Sequence, residues 1–265
     1  MRTPLIAANW KMNLGAADAQ KFVSAFVPKV EGVRGVQVLL APQAPLLPQL
    51  VSAVKSTAIQ VAAQNCGADK SGAYTGDVSP VLLHELGVKW VIIGHSERRH
   101  VFGETDSLIQ ARLKAALKEN LNVILCVGET LEERKKSETL KVVARQLGAL
   151  QSGTWIEGYD FKNFAVAYEP VWAIGTGETA TPAQAQEVHH FIRGWLTENV
   201  GESQAEVIRI QYGGSVKPDS AEALMSEKDV DGLLVGSASL KPEVFAEIVQ
   251  NAVKSGSDWK KDKDR

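Results

Sequence analysis

The feature that most constrains the fold of this chain is a regular alternation of short apolar runs with longer segments of helical periodicity. Eight runs are rich in β-branched and other apolar residues. They cover residues 4–9, 36–41, 58–64, 90–94, 122–127, 163–169, 207–212 and 231–235. Their near-continuous apolar character is typical of strands buried on both faces, as in a parallel sheet.

The segments between the runs have apolar residues at the spacing of one helix face. In the segment after residue 180, Val188 and Ile192 lie four positions apart on such a face. Thr181 as N-cap, Pro182 at the first helical position and Gln184 completing a capping box predict where this helix begins.

Eight strand–helix units in 265 residues predict a parallel, eight-stranded (β/α)₈ barrel, a fold that typically takes about 250 residues. A doubly wound open sheet is the structural alternative. No stretch resembles an interdomain linker, so a single catalytic domain over residues 1–254 is expected. Residues 255–265, "SGSDWKKDKDR", mix small residues with both charges, and we expect a charged, disordered C-terminal tail.

Composition and charge argue against several classes of function. A formal net charge of −2 gives no basic footprint for nucleic acid or for a membrane surface. No apolar run approaches the roughly 18 residues that span a bilayer, and the first residues lack the pattern of a signal peptide. Cys66 and Cys126 are too few for a disulfide framework or a four-thiolate zinc site. We therefore expect a reduced, cytoplasmic setting.

Polar side chains stand at the end of three of the predicted strands or directly beyond it. They are Asn9 and Lys11 for the first, His95, Ser96 and Glu97 for the fourth, and Glu169 for the sixth. Because the carboxyl ends of parallel strands form the working surface of such folds, we expect these groups to converge. Taken singly, Lys11 also fits a solvated loop lysine, His95 an ordinary hydrogen-bonded histidine, and Glu169 the partner of a neighbouring arginine.

Glycine-bearing turns follow the last two predicted strands, with "GGS" at 213–215 and "GS" at 236–237. A phosphate site is frequent at this place in (β/α)₈ barrels, and backbone amides approach an anion closely where side chains are small. Tight turns without a ligand remain the alternative on spacing alone.

The residue types at the strand ends suit proton transfer. We expect the Ser96 hydroxyl to cap a short helix beyond His95, so that the positive end of the helix dipole disfavours the protonated imidazole. Glu169 is suited to act as a base if a dry pocket raises its basicity. Together with the ammonium of Lys11 and a bound phosphate, these groups indicate proton abstraction next to a carbonyl.

Five motifs resemble those of the triosephosphate isomerase family in order and spacing: "AANWKMN", "GHSERR", "AYEPVWAIGTG", "YGGSV" and "LVGSASL". The resemblance covers essentially the whole chain except the tail, and it implies the TIM-barrel fold. It also implies an isomerase of glycolysis and gluconeogenesis that interconverts dihydroxyacetone phosphate and D-glyceraldehyde 3-phosphate through an enediolate, without metal or cofactor.

The resemblance assigns a catalytic role to four residues. Glu169 removes and returns the proton, and His95 polarises the carbonyl and shuttles protons between the enediolate oxygens. Lys11 supplies positive charge, and Asn9 hydrogen-bonds the reacting end. The supporting residues are Ser96 and Glu97, and the residues that bind the substrate or its phosphate are Asn9, Lys11, Gly175, Ser215, Gly236 and Ser237.

By the same resemblance, a lid folds over the substrate phosphate and excludes water from the enediolate. The lid consists of Pro170, Val171, Trp172, Ala173, Ile174, Gly175, Thr176, Gly177, Glu178, Thr179 and Ala180. Members of the family are usually homodimers in which the loop equivalent to residues 64–79 inserts beside the partner's active site, and Thr75 is the reaching residue.

Three positions depart from the family pattern. Ser237 stands where a second glycine is usual, and it is strained if its φ is positive. Asp77 replaces a longer glutamate and is expected to weaken an interface contact. Glu178 replaces a lysine at the second hinge of the lid, which bears on lid rate or closure rather than on the reaction type.

Two alternatives come from the run G-x-G-x-x-A and from the phosphate turns. The run suggests a dinucleotide-binding oxidoreductase, but "PVWAI" separates it from its strand, and Glu198 falls at the end of a helix rather than a strand. A phosphate-binding barrel without activity is the non-enzyme alternative, although no essential group is missing from the sequence.

Two further alternatives use other carboxylates. Two E-x-x-H pairs, Glu97/His100 and Glu187/His190, suggest a metal carboxylate enzyme, but such sites need facing long helices and two further glutamates. A barrel glycosidase would pair Glu97 or Glu129 with Glu169, which leaves the phosphate turns and Lys11 unexplained.

Overall fold

In the computed structural model, eight parallel strands close into a barrel. The structure describes residues 2–151, 159–174 and 179–258. The strands are β1 (Leu5–Asn9), β2 (Gln37–Ala41), β3 (Gln60–Ala63), β4 (Trp90–Ile93), β5 (Asn122–Val127), β6 (Phe164–Tyr168), β7 (Arg209–Tyr212) and β8 (Gly232–Val235). Each lies within one predicted run. The single-domain (β/α)₈ barrel is confirmed, and the pairing of β1 with β8 rules out the open sheet.

Helices connect the strands over the described part of the chain. They are α1 (Ala16–Val30), α2 (Leu47–Val54), α3 (Pro80–Glu85), α4 (Ser96–His100), α5 (Asp106–Lys118), α6 (Leu131–Lys135), α7 (Thr139–Leu147), α8 (Pro182–Asn199), α9 (Glu202–Val207), α10 (Pro218–Met225) and α11 (Pro242–Asp258). The capping box predicted at the start of α8 is present, because Thr181 and Gln184 each accept the other's backbone N–H.

The end of the chain differs from the predicted boundary at residue 254. Helix α11 runs to Asp258, so residues 255–258 of the predicted tail are helical. Residues 259–265 lie outside the described part of the chain. None of the described helices combines the length and the apolar content that a membrane crossing requires.

The two-residue period of each strand divides the core into two layers. On β1, Ile6 and Ala8 face the helices, whereas Leu5 and Ala7 belong to the cluster inside the barrel. The interior cluster also contains Leu39, Ala41, Ala62, Trp90, Ile92, Ile124, Cys126, Ala165, Ala167 and Leu234. One further step along the inward face of β1 reaches Asn9, and one further step beyond Ala167 reaches Glu169. The alternation that fills the barrel therefore also directs these two side chains toward its mouth.

Candidate active site

A cavity of about 580 Å³ opens at the carboxyl ends of the strands. Its lining includes eight of the residues predicted from the sequence: Asn9, Lys11, His95, Glu169, Ile174, Ser215, Gly236 and Ser237. They lie at or beyond the carboxyl ends of β1, β4, β6, β7 and β8, so residues far apart in the chain meet at one edge of the barrel.

Glu169 lies at the floor of this cavity with only 2% of its surface exposed. Its Oε1 lies 2.9 Å from His95 Nε2, and its Oε2 accepts the Ser96 backbone N–H at 2.8 Å. Burial is the largest influence and raises the pKa of Glu169, but His95, the Ser96 N–H and Lys11 outweigh it, and the net pKa is lowered. The condition set above, that a dry pocket raises the basicity of Glu169, is not met in this arrangement, because polar partners reach the buried carboxylate.

His95 itself is the N-cap of α4, and its Nδ1 accepts the Glu97 backbone N–H at 3.2 Å. The expectation that the Ser96 hydroxyl caps this helix is wrong. Ser96 is the first residue of α4, and it contributes its backbone N–H to Glu169 instead.

The hydrogen bond at Nδ1 fixes the tautomer of neutral His95, since an acceptor nitrogen carries no proton. The proton then resides on Nε2, which faces Glu169. Burial is the largest influence and lowers the pKa of His95, but the Glu169 carboxylate raises it, and the net direction is upward. The contact between His95 and Glu169 therefore determines the pKa of both residues.

Lys11 is held in a left-handed backbone conformation, with φ of 51°. Its N–H donates to Asn9 Oδ1 at 3.0 Å, and its Nζ lies 2.5 Å from Glu97 Oε1. Gln64 Nε2 donates to the Lys11 carbonyl at 2.8 Å and to the Ala41 carbonyl at 2.9 Å. The sequence gives no signal for Gln64, which ties the loop after β3 to the loop that carries Lys11.

The two glycine-bearing turns border the other side of the cavity. A Cβ on Gly213 would lie 2.8 Å from Glu169 Cγ, so the absence of a side chain makes room for the carboxylate. Ser215 Oγ donates to the Ala173 carbonyl at 2.8 Å, and this bond joins the turn to the lid.

Ser237 begins a short 3₁₀ turn, Ser237–Leu240, with Gly236 as its N-cap. Positive φ among the described residues other than glycine occurs at Lys11, Leu14, Asn120 and Ser137. The strain expected at Ser237 is therefore absent, and the serine is accommodated without a left-handed backbone.

Two lysines that the sequence analysis did not identify also line the cavity. Lys217 and Lys241 lie beside the turns after β7 and β8, and each directly precedes the proline that begins a helix. The recurring pattern "KP" after the last two strands is the signal that could have identified them. Together with Lys11, they make this end of the cavity attractive to an anion.

The first hinge of the lid is anchored to Glu129. Trp172 Nε1 donates to Glu129 Oε1 at 2.9 Å, and the Val171 N–H donates to the Glu129 carbonyl at 3.1 Å. The guanidinium of Arg134 lies 4.4 Å from the centre of a Trp172 ring. The predicted lid residues Gly175, Thr176, Gly177 and Glu178 lie outside the described part of the chain.

The residues that suggested other classes of enzyme are paired in ways that do not fit those enzymes. Glu97 pairs with Lys11, and His190 Nδ1 lies 3.3 Å from Asp229 Oδ2. Glu129 is fully buried and is not part of the cavity lining, so it does not face Glu169 across a substrate site as a glycosidase requires. Among residues 2–151, 159–174 and 179–258, no three His, Cys, Asp or Glu side chains are grouped as metal ligands.

The loop over residues 64–79 carries an exposed Thr75 and an ion pair at its base. Both carboxylate oxygens of Asp77 lie 3.0 Å from Arg112 Nη1. Asp77, which is shorter than the glutamate of the family pattern, therefore forms an ion pair within its own chain.

Comparisons with known proteins relate the whole barrel to one family. A family model described as triosephosphate isomerase matches residues 4–252. The chain is 49% identical over 251 residues to the triosephosphate isomerase of Trichlorobacter lovleyi, which covers 94% of this chain and 99% of that protein. It is 48% identical over 253 residues to the triosephosphate isomerase of Carboxydothermus hydrogenoformans, covering 96% and 100% of the two chains. For Geotalea uraniireducens the identity is 48% over 250 residues, covering 94% and 99%.

Proposed function

Because the chain belongs to the triosephosphate isomerase family, we propose that it interconverts dihydroxyacetone phosphate and D-glyceraldehyde 3-phosphate through an enediolate. The single observation that carries this proposal is the contact between the buried Glu169 carboxylate and His95 Nε2, 2.9 Å apart at the cavity floor. It places a base and a hydrogen-bond donor side by side, as abstraction of a proton beside a carbonyl requires.

In the proposed reaction, Glu169 takes a proton from the carbon next to the substrate carbonyl and returns it to the neighbouring carbon. The carboxylate is ionised at neutral pH, because its pKa is lowered by His95, the Ser96 N–H and Lys11 against the effect of burial. A substrate oxygen that takes over the His95 N–H removes one of these donors. The pKa of Glu169 then rises as the substrate binds, which strengthens the base when it is needed.

His95 supplies the donor to the substrate carbonyl. The Glu97 N–H occupies Nδ1, so Nε2–H is the group available to polarise that oxygen and to pass protons between the two enediolate oxygens. Separation from Glu169 removes the interaction that raises the pKa of His95, and burial together with Lys11 then favours the neutral imidazole.

Positive charge and backbone amides hold the rest of the substrate. We assign the ammonium of Lys11 and the side chain of Asn9 to the reacting end. We assign the backbone amides of Ser215, Gly236 and Ser237, together with that of the lid residue Gly175, to the phosphate. This division lets the nonreacting phosphate contribute binding energy that positions the carbon atoms against Glu169.

The lid moves about its first hinge in this proposal. Hydrogen bonds from Trp172 to Glu129 and from Ser215 to Ala173 hold the hinge in the arrangement described above. Closure over the phosphate excludes water and protects the enediolate from side reactions.

We also propose that the enzyme is a homodimer joined through the loop around Thr75. Large apolar side chains are exposed near this loop and around the mouth, with Met12 86%, Val101 74%, Phe102 66% and Tyr74 55% accessible. Exposed apolar side chains of this size support a protein–protein interface. The reaction belongs to glycolysis and gluconeogenesis, and we place it in the cytoplasm, since both cysteines are buried and free.

The proposal is tested by following the conversion of glyceraldehyde 3-phosphate by nuclear magnetic resonance, with no added metal or nicotinamide acceptor. The wild-type protein should produce dihydroxyacetone phosphate, and Glu169→Asp, which draws the base back by a methylene, should slow turnover on the order of 10²-fold. A correctly folded wild-type protein that produces no dihydroxyacetone phosphate would refute the proposed function.

A further inference from the structure

A buried glutamine on α7 hydrogen-bonds the backbone segment that packs against the proposed base. Gln146 is 2% exposed, and both ends of its amide bind the same residue. Its Oε1 accepts the Gly128 N–H at 2.7 Å, and its Nε2 donates to the Gly128 carbonyl at 3.1 Å. One side chain therefore satisfies both backbone polar groups of Gly128.

Gly128 in turn packs directly against the backbone of Glu169. A Cβ on Gly128 would lie 1.8 Å from the Glu169 carbonyl oxygen and 2.6 Å from its carbonyl carbon. No side chain fits in this space, so any movement of Gly128 is transmitted to Glu169 by hard contact.

The same segment carries the hydrogen bonds that continue the pairing of β5 with β6 beyond the strand ends. The Glu169 N–H donates to the Val127 carbonyl at 2.7 Å, and the Val171 N–H donates to the Glu129 carbonyl at 3.1 Å. Gly128 lies between these two acceptors. The position of Gly128 therefore determines where the backbone of Glu169 and Val171, on either side of Pro170, is hydrogen-bonded.

From this geometry, we infer that Gln146 is a positioning residue for catalysis, which fixes the Glu169 backbone and the first lid hinge by clamping Gly128. Gln146 does not line the cavity that we assign to the substrate. Without its amide, the Gly128 N–H and carbonyl are left unpaired in a buried environment, which favours displacement of this segment toward other partners. The inference rests on the proposed role of Glu169 as the base.

The first test is Gln146→Met, which keeps the length of the side chain and removes both hydrogen bonds. We expect kcat to fall roughly 10- to 100-fold, because a displacement near 1 Å at the base costs on the order of 10²-fold in rate. KM should change by less than about twofold, because the phosphate-binding turns follow other strands. Val143→Ala is the matched control, since it weakens the buried face of the same helix without touching Gly128, and its kcat should be unchanged.

Gln146→Glu separates positioning from general destabilisation. The ionised carboxylate accepts the Gly128 N–H but cannot donate to the Gly128 carbonyl, whereas the protonated carboxyl does both. The ratio of its kcat to the wild-type kcat should therefore rise as the pH is lowered through the pKa of the new carboxyl, while the same ratio for Val143→Ala stays flat.

A folded Gln146→Met enzyme with wild-type kcat would overturn the inference, as would a pH-independent kcat ratio for Gln146→Glu. A fall in kcat that Val143→Ala reproduces at the same loss of thermal stability would also overturn it. These outcomes leave the proposed function standing as long as the wild-type protein isomerises triose phosphate and Glu169→Asp does so slowly. An inactive wild-type protein would instead count against the function itself.

Discussion

The substitution Gly213→Ala tests how tightly the position of Glu169 is controlled. The added Cβ would lie 2.8 Å from Glu169 Cγ and 3.2 Å from the Tyr168 carbonyl oxygen. Carbon atoms in ordinary contact stay about 3.5–4.0 Å apart, so the buried carboxylate must move by about 1 Å. A misplacement of this size costs on the order of 10²-fold in rate, which corresponds to about 2.7 kcal/mol of transition-state stabilisation.

The measurement is kcat at saturating glyceraldehyde 3-phosphate, with circular dichroism to establish that the variant is folded. Gly194→Ala is the matched control, because Gly194 is exposed in the interior of α8 and a Cβ there would meet nothing within 4 Å. That variant should keep its kcat and gain about 0.5–1 kcal/mol of stability from the helix preference for alanine. A folded Gly213→Ala enzyme with kcat within twofold of wild type would refute the argument that space at Gly213 positions the base.

Three further predictions concern stability, the lid and assembly. Burial lowers the pKa of His189 to about 4 from an ordinary 6.5. Between these two pH values the unfolded chain binds a proton at this histidine and the folded protein does not. Stability should fall by about 1.4 kcal/mol per pH unit between pH 6.5 and 4, about 3 kcal/mol in total, and unfolding titrations of His189→Asn should lack this component. Glu178→Lys should change the rate of lid motion or product release in stopped-flow experiments and leave the reaction intact; a folded variant without any chemistry would contradict its assignment as a hinge residue. Phe102→Glu should shift the protein toward monomers in analytical ultracentrifugation, whereas Leu140→Glu, an equally drastic change at an exposed leucine on α7, should not; identical sedimentation of both variants and wild type would contradict the proposed interface.

The sequence predicts the barrel well because the signal for each strand lies within a few consecutive residues. Each strand of a parallel barrel is buried on both faces, so its apolar run is visible without knowledge of its neighbours. The two-residue period then carries Asn9 and Glu169 onto the inward face, and the strand ends bring them to the same edge as His95. The convergence of these residues follows from topology, which is why a single chain is enough to predict it.

The electrostatics of the site depend on contacts that the sequence does not contain. Ser96 is the residue type preferred as an N-cap, but its N–H is bound by Glu169, which lies 73 positions away, and His95 takes the capping role instead. The same contact helps to lower the pKa of Glu169 against the effect of burial. The sequence brings His95 and Lys11 to the same edge of the barrel, but it does not show that the Ser96 N–H reaches the carboxylate.

The supporting contacts around the base are also invisible in the sequence. The amide of Gln146 meets Gly128 18 positions earlier in the chain, and in the sequence it is one more polar residue on an amphipathic helix. Gly128 follows a strand, so the sequence alone indicates an ordinary turn glycine. In the structure, a side chain is excluded at this position by the backbone of Glu169. The resemblance to a family predicts the residues that act on substrate, whereas the residues that position them emerge from packing.

The central claim is that Glu169 carries the proton between the two substrate carbons, and isomerisation in deuterium oxide tests it most directly. A base that exchanges its proton with solvent during the lifetime of the enediolate leaves deuterium on the carbon beside the product carbonyl, which nuclear magnetic resonance detects. The wild-type enzyme should incorporate this deuterium, and Glu169→Gln, which keeps the size of the side chain but removes the base, should lose both turnover and incorporation by several orders of magnitude. Turnover and deuterium incorporation at wild-type rates in a folded Glu169→Gln protein would contradict the account.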